Sequence, residues 1–143
     1  MGADDSRGMM DDYLTALRSG GDFGRYFVED VRWTTVETGE QLQGRDAVRD
    51  YIVALHTQAL DAHPEVKNLV VGEGGAFLEA DLVGTHTGDF AGIPATGTSL
   101  RVPYAVAYDL SSEGITALRA YIPLTQMVNQ LREAQSASAV SGG

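Results

Sequence analysis

The segment Phe77-Leu78-Glu79-Ala80-Asp81-Leu82-Val83-Gly84-Thr85-His86 restricts the fold more than any other part of the chain. Side chains on a strand alternate between its two faces. Leu78, Ala80, Leu82, Gly84 and His86 therefore share one face, and Glu79, Asp81 and Thr85 share the other. An apolar face backed by a polar one is the pattern of a half-buried strand. The strand pattern covers Ala76 to Thr87, and three more segments repeat it: Val66 to Gly72, Ser99 to Leu110, and Ile115 to Ile122. Gly74-Gly75 and Ser111-Ser112-Glu113-Gly114 are tight turns between neighbours, as in antiparallel hairpins.

The first half of the chain reads differently. Met10, Tyr13, Leu14 and Leu17 recur at helical spacing, which predicts a helix over Met9 to Arg18 stopped by Ser19-Gly20-Gly21. Asp22 to Phe27 is a short helical turn leading into a strand from Val31 to Val36, with turn signals at Thr38-Gly39 and Gln43-Gly44. Arg45 to Leu60 is a second helix, with an apolar stripe of Val48, Ile52, Leu55 and Ala59 flanked by Tyr51 and His56. Asp61-Ala62-His63-Pro64 ends it, because proline disfavours helix in the residue before it. Leu124 to Arg132 is a last short helix. Helices followed by a run of long strands predict an α+β fold: a curved antiparallel sheet wrapped around helices, leaving a cone-shaped apolar pocket. One domain over 1–133 is expected. The small residues of 134–143 lack the bulk to pack, which predicts a disordered C-terminal tail.

Composition removes several function classes. The 143 residues are 43% hydrophobic and 21% charged, as in an ordinary soluble domain. No cysteine is present, so thiolate chemistry and cysteine–metal sites are excluded. The three histidines, His56, His63 and His86, have no ligand spacing, and no metal site is expected. A formal charge of -10 with dispersed basic residues disfavours nucleic acid and strongly anionic substrates. No apolar run approaches membrane-spanning length, and Met1 to Asp12 has none of the features of a signal peptide. The expected location is the cytoplasm, with no membrane partner.

Candidate site residues follow from parity. His86 lies on the inward face beside Gly84, which reads as a gap in front of the ring. A ring that titrates near neutrality there is a candidate for acid–base work, and a core histidine bonded to backbone is the alternative. Leu82 shares its face. Trp33 and Thr35 share a face with Glu37, so Trp33 is a wall of the pocket or of the core. Leu100, Val102, Tyr104, Val106 and Tyr108 occupy one face of the next long strand, which makes the two tyrosines pocket groups with polar tips. Pro103 interrupts that strand and marks a bulge or an edge. Leu118, Ala120 and Ile122 share the inward face of the last strand, while Arg119 points away. His56 reads as a helix-surface histidine that can reach the pocket mouth. Gly92 to Thr98 reads as a mobile loop beside the opening or a plain hairpin connection.

Gly84-Thr85-His86-Thr87-Gly88-Asp89-Phe90, with Gly92-Ile93-Pro94 and Thr96-Gly97, resembles the SnoaL-like polyketide cyclases of the nuclear transport factor 2-like superfamily. Gly114 to Tyr121, followed by Gln130-Leu131, resembles that family's last strand and helix, and Gly44-Arg45-Asp46-Ala47-Val48-Arg49 its step into a helix. The superfamily also holds ketosteroid isomerase and limonene epoxide hydrolase. The resemblance spans about Met9 to Leu131. It implies a cone-shaped pocket, a homodimer, a hydrophobic carbonyl-bearing small-molecule substrate, and cyclisation or rearrangement without a metal or organic cofactor. It also aligns Tyr13 with the tyrosine from which ketosteroid isomerases donate to an oxyanion; packing is the competing reading. The family's acid follows the arginine of the last strand, and here Arg119 is followed by Ala120. The base of ketosteroid isomerases aligns with Thr35. Glu37 is then the one carboxylate left to stand in, or else a solvated turn residue. The expected function is a cofactor-independent polyketide cyclase working by acid–base chemistry through His86, Tyr13 and Glu37, or by shape-templated ring closure. The alternatives are a ketosteroid-isomerase-like or epoxide-opening enzyme, and a module that only binds a ligand.

Overall fold

The computed structural model describes residues 2–141, with side chains over 2–137. Helix α1 spans Ala3–Ser19, a 3-10 turn Phe23–Tyr26, strand β1 Phe27–Thr35 and β2 Glu40–Gln43. Helix α2 follows over Arg45–Thr57, then β3 Leu60–Gly72, β4 Gly75–His86, β5 Ser99–Ser111, β6 Gly114–Tyr121 and α3 Leu124–Ser141. The strands form one six-stranded sheet in the order β2-β1-β6-β5-β4-β3. Its neighbours are antiparallel except β1 and β6, which are parallel, with Trp33 beside Leu118 and Thr35 beside Ala120. The expected α+β architecture with its curved, mainly antiparallel sheet is present, and the β1–β6 pair makes the sheet mixed.

Strand β1 begins at Phe27 rather than Val31, β3 begins at Leu60 rather than Val66, and three helix ends differ from the sequence reading by several residues. Helix α1 begins at Ala3 rather than Met9. Asp4 and Asp5 lie in its first turn, where negative charge is favourable, and the Asp5 carboxylate accepts the Gly2 amide at 3.2 Å. Helix α2 stops at Thr57, and the stretch through His63-Pro64 is already strand. Pro64 is tolerated there because β3 is an edge strand. Helix α3 continues through the segment expected to be disordered, as far as Ser141. That expectation weighed the missing bulk; the alanines of 134–140, spaced by polar residues with no Gly or Pro, keep enough helix propensity. Gly142 and Gly143 lie outside the described residues.

Parity holds along β4 and β5. Leu78, Ala80, Leu82, Val102, Val106 and Tyr108 are buried, and the register passes Pro103 without a shift. β6 pairs with β5 only from Ala105 onward, so Pro103 sits on a locally free edge where no amide is needed. Helices α1 and α2 pack on the concave side, against β3 and β4 and against β1 and β3 respectively. Met127 and Leu131 bring α3 into the same core. On the opposite side of β4, Asp81 holds Lys67 at 2.8 Å and Arg101 at 2.9 Å. Lys67 lies at the β3 bulge, which swings it across to Asp81. These cations hold the Asp81 carboxyl below its ordinary range.

Gly84 is required by a close approach, and the space before it is already filled. A Cβ there would stand 2.3 Å from the Asp61 carbonyl oxygen and 2.6 Å from Ala62 on β3. Gly84→Ala is expected to cost about 2–3 kcal/mol of unfolding free energy, since backbone rather than a flexible side chain must yield. Denaturant unfolding measures it, and a variant as stable as the parent would refute the close approach.

Candidate active site

A chamber lies between the concave face of the sheet and the three helices. Its sheet wall is Trp33 from β1, Leu78 and Leu82 from β4, Val102, Tyr104, Val106 and Tyr108 from β5, and Leu118 and Ile122 at β6. Its helical wall is Tyr13 and Leu17 from α1, Ile52, Leu55 and His56 from α2, and Met127 from α3. The chamber holds about 40 Å³ of open space, room for on the order of two waters. No Asp or Glu lines it.

Three tyrosines, Tyr13, Tyr104 and Tyr108, line it. Tyr13 and Tyr108 are buried, with ring centroids 5.8 Å apart in an edge-on arrangement. Tyr13 also packs on Phe23 at 6.2 Å and on Phe27 at 5.7 Å, which fixes its ring. Burial raises the pKa of both phenols, so each stays protonated and acts as a donor. Each phenol therefore keeps a proton that it can give to an acceptor entering the chamber. Burial pushes Tyr104 up to about 12.

His56 is the remaining polar wall. Its Nδ1 lies 2.7 Å from the carbonyl oxygen of Ile52, one turn earlier on α2. A carbonyl can only accept, so Nδ1 carries the proton and Nε2 carries the lone pair. Nε2 is buried and has no partner. Burial lowers the ring's pKa; the Ile52 carbonyl opposes that, and nearby His63 adds to it.

Of the surface clefts that share a wall residue with the chamber, two lie along α2. One, of about 270 Å³, lies between the end of α1, α2 and the start of β3, and shares Leu17, Ile52 and His56 with the chamber. The other, of about 410 Å³, is bounded by α2 and the Asp89-Phe90 loop and shares Leu55.

The family model for SnoaL-like polyketide cyclases matches residues 7–131. The chain belongs to that family. A search of curated proteins finds no match. Among solved structures, one designated a SnoaL-like polyketide cyclase from Jannaschia sp. CCS1 superposes with a TM-score of 0.78 at 16% identity, over 88% of this chain and 90% of that one. AclR from Streptomyces galilaeus, designated a hydroxylase, gives 0.75 at 14% identity, over 90% and 85%. A protein from Kribbella flavida DSM 17836, designated a ketosteroid isomerase, gives 0.65 at 18%, over 85% and 79%. At these identities the three establish the fold alone.

This SnoaL-like chain gathers eight of the residues expected from sequence in one chamber: Tyr13, Trp33, Leu82, Tyr104, Val106, Tyr108, Leu118 and Ile122. Four lie elsewhere. Glu37 is exposed and caps α3: its carboxylate accepts the amides of Leu124 at 2.7 Å and Thr125 at 3.1 Å, and the Thr125 hydroxyl donates to it as well. The Thr125 hydroxyl and these amides hold its pKa below the ordinary range, so the cap is present at neutral pH and is lost as pH falls through that lowered value. A carboxylate committed to a helix start is not the chamber's base. Thr35 is buried but accepts the Trp33 Nε1 proton at 2.9 Å, and so orients the indole from behind. Ala120 is fully buried and lines no part of the chamber.

His86 is fully buried yet also outside the chamber. The Thr96 amide donates to its Nδ1 at 3.1 Å, and the Thr96 hydroxyl lies 2.9 Å from the same nitrogen. Backbone bonds from His86 to Thr98 and from Gly97 to His86, both 2.9 Å, close the same turn. The ring pins the Gly92 to Thr98 loop, so the expected catalytic histidine is a structural one and the loop is tied down on that side. The space expected before it at Gly84 is occupied by β3. Sequence reasoning passed over Leu17, Ile52, Leu55, Leu78, Val102 and Met127 as chamber walls. His56, read from its place one turn after Ile52 as a helix-surface residue able to reach the pocket mouth, stands in the chamber wall itself.

No described helix is long and apolar enough to cross a membrane. Among the described residues no group of three or more His, Asp or Glu side chains is arranged to hold a metal ion.

Proposed function

We propose that this chain is a cofactor-independent cyclase of polyketide type, acting on a hydrophobic, carbonyl-bearing chain within the tyrosine-lined chamber. The observation that carries it is Tyr13, protonated, fixed by three aromatic neighbours and lining a mostly apolar chamber without a carboxylate. A carbonyl oxygen entering such a site exchanges water for a preorganised donor, and the benefit grows as negative charge develops on it. Family membership supports the reaction class. The walls suit apolar matter, and the lack of a carboxylate or a Lys or Arg side chain among them disfavours a charged substrate.

The chamber at 40 Å³ is far below the roughly 300 Å³ of a small-molecule site. Leu17, Leu55 and His56, which separate it from the clefts, are the side chains that give way on entry. Holding the two reacting ends of one chain together supplies part of the rate by itself. Ring closure by shape alone is the second reading, favoured by the absence of a carboxylate from the walls.

The test is incubation of the purified protein with hydrophobic poly-β-keto esters that carry a second carbonyl within ring-closing reach. A cyclic product of the same mass, or of that mass less one water, is expected to form faster than in buffer. Esters bound in the chamber and returned unchanged would leave a ligand carrier instead.

A further inference from the structure

We propose that His56 Nε2 is the proton-accepting group of the chamber, taking the place of the carboxylates that the family resemblance leads one to expect at Ala120 and at Thr35. This rests on the chamber being the reaction site, as proposed above.

Three observations carry it. The ring lines both the chamber and the 270 Å³ cleft beside it, so it meets a ligand entering by that route. The Ile52 carbonyl at 2.7 Å fixes the proton on Nδ1, so the free lone pair is on Nε2. That lone pair is buried without a partner, a condition that native proteins rarely leave unanswered. His86 has the opposite arrangement, its Nδ1 lone pair being satisfied by the Thr96 amide. Nε2 of both histidines is buried without a partner, and His56 is the one whose free nitrogen accepts, since His86 Nε2 carries its proton.

The step balances within one substrate. Nε2 takes a proton from the carbon next to a carbonyl. The C–H electron pair forms the new C=C bond, and the carbonyl π pair moves to oxygen, which Tyr13 or Tyr104 stabilises by donating a hydrogen bond. The enolate carbon then attacks a second carbonyl, forming the ring C–C bond. The resulting alkoxide takes the proton back from Nε2. No oxidant, reductant or co-reactant is consumed. The other titratable groups lining these two spaces are His63 of β3 and Arg18 of α1 in the cleft, and Tyr13, Tyr104 and Tyr108 in the chamber. None is an anion, so nothing there stabilises a protonated His56 before substrate arrives.

The probe is α-tetralone, a neutral aromatic ketone with slowly exchanging α-hydrogens, followed by proton NMR in deuterated buffer. Wild-type protein is expected to accelerate the exchange, with a rate that is flat at neutral pH and falls as pH drops through an inflection below 6.5. His56→Gln is expected to bind α-tetralone as wild type does and to lose about a hundredfold of the exchange rate, as for removal of a general base. In wild type, ¹⁵N shifts should show His56 protonated at Nδ1 and bare at Nε2, with Nε2 moving when α-tetralone binds. Folded His56→Gln within twofold of wild type would overturn the assignment, and so would wild-type exchange with no inflection. Should Gln disturb the fold, a wild-type spectrum with the proton on Nε2 is enough to reject it. Wild type that neither binds α-tetralone nor speeds its exchange would sink the chamber reading, and this proposal with it.

Discussion

Tyr13→Phe is expected to leave the protein folded and to lower turnover of a cyclisable substrate about a thousandfold, with little change in KM. The ring contacts with Phe23, Phe27 and Tyr108 survive the substitution, because each is made by ring atoms. What disappears is one hydroxyl that burial keeps protonated. A single preorganised donor aimed at a developing oxyanion contributes about 3–4 kcal/mol to the barrier, or two to three orders of magnitude in rate. The effect should sit at the upper end of that range. Tyr13 is almost wholly buried, and solvent screens its hydroxyl little there. Ground-state binding depends mostly on the apolar walls, so the loss falls on kcat. Tyr108→Phe should cost less, since Tyr13 keeps its own proton to give. Steady-state kinetics of the two variants decide the order. A Tyr108→Phe variant more damaged than Tyr13→Phe would reverse the roles of the two phenols.

Much of this chamber was legible from strand parity. Leu82, Tyr104, Val106, Tyr108, Leu118 and Ile122 fall on inward faces because a strand alternates with a fixed period, and a sheet with one buried face punishes any slip. Tyr13 was legible through helical spacing together with the family motif. The misread residues share a different cause. Glu37 is defined by α3, which begins 87 positions later in the chain, and no local pattern announces such a cap. Gly84 looked like a gap, yet a missing side chain also permits close approach, and only the position of β3 tells the two apart. His56 and His86 exchanged roles for one reason: the partner of each Nδ1 decides which nitrogen remains free. For His56 that partner is a carbonyl of its own helix, and for His86 it is the amide of a loop ten residues on. Residue type and spacing carry no record of that choice.

The missing family acid makes the second large prediction. Ala120→Asp restores the expected residue after Arg119, and is expected to destabilise the protein by about 3–5 kcal/mol without raising its activity. Ala120 is fully buried, between Val106 on β5 and Thr35 on β1. Thr35 already accepts the Trp33 indole proton, and its hydroxyl proton is all it has left to offer a new carboxylate. No Lys or Arg lies among these neighbours, and an uncompensated buried charge costs about the amount stated. The aspartate would answer by holding its proton, so its pKa would rise and the variant would lose stability further as pH increases through that raised value. Arg119, the residue just before it, is turned to the other side of β6 and held by Asp109 at 2.8 Å, so it gives no relief. Thermal unfolding between pH 5 and 8 tests this directly, with the variant expected to fall increasingly below wild type toward pH 8. A variant of wild-type stability and higher turnover would show that the β6 position still opens onto substrate. The proton-accepting role would then return from His56 to the sheet.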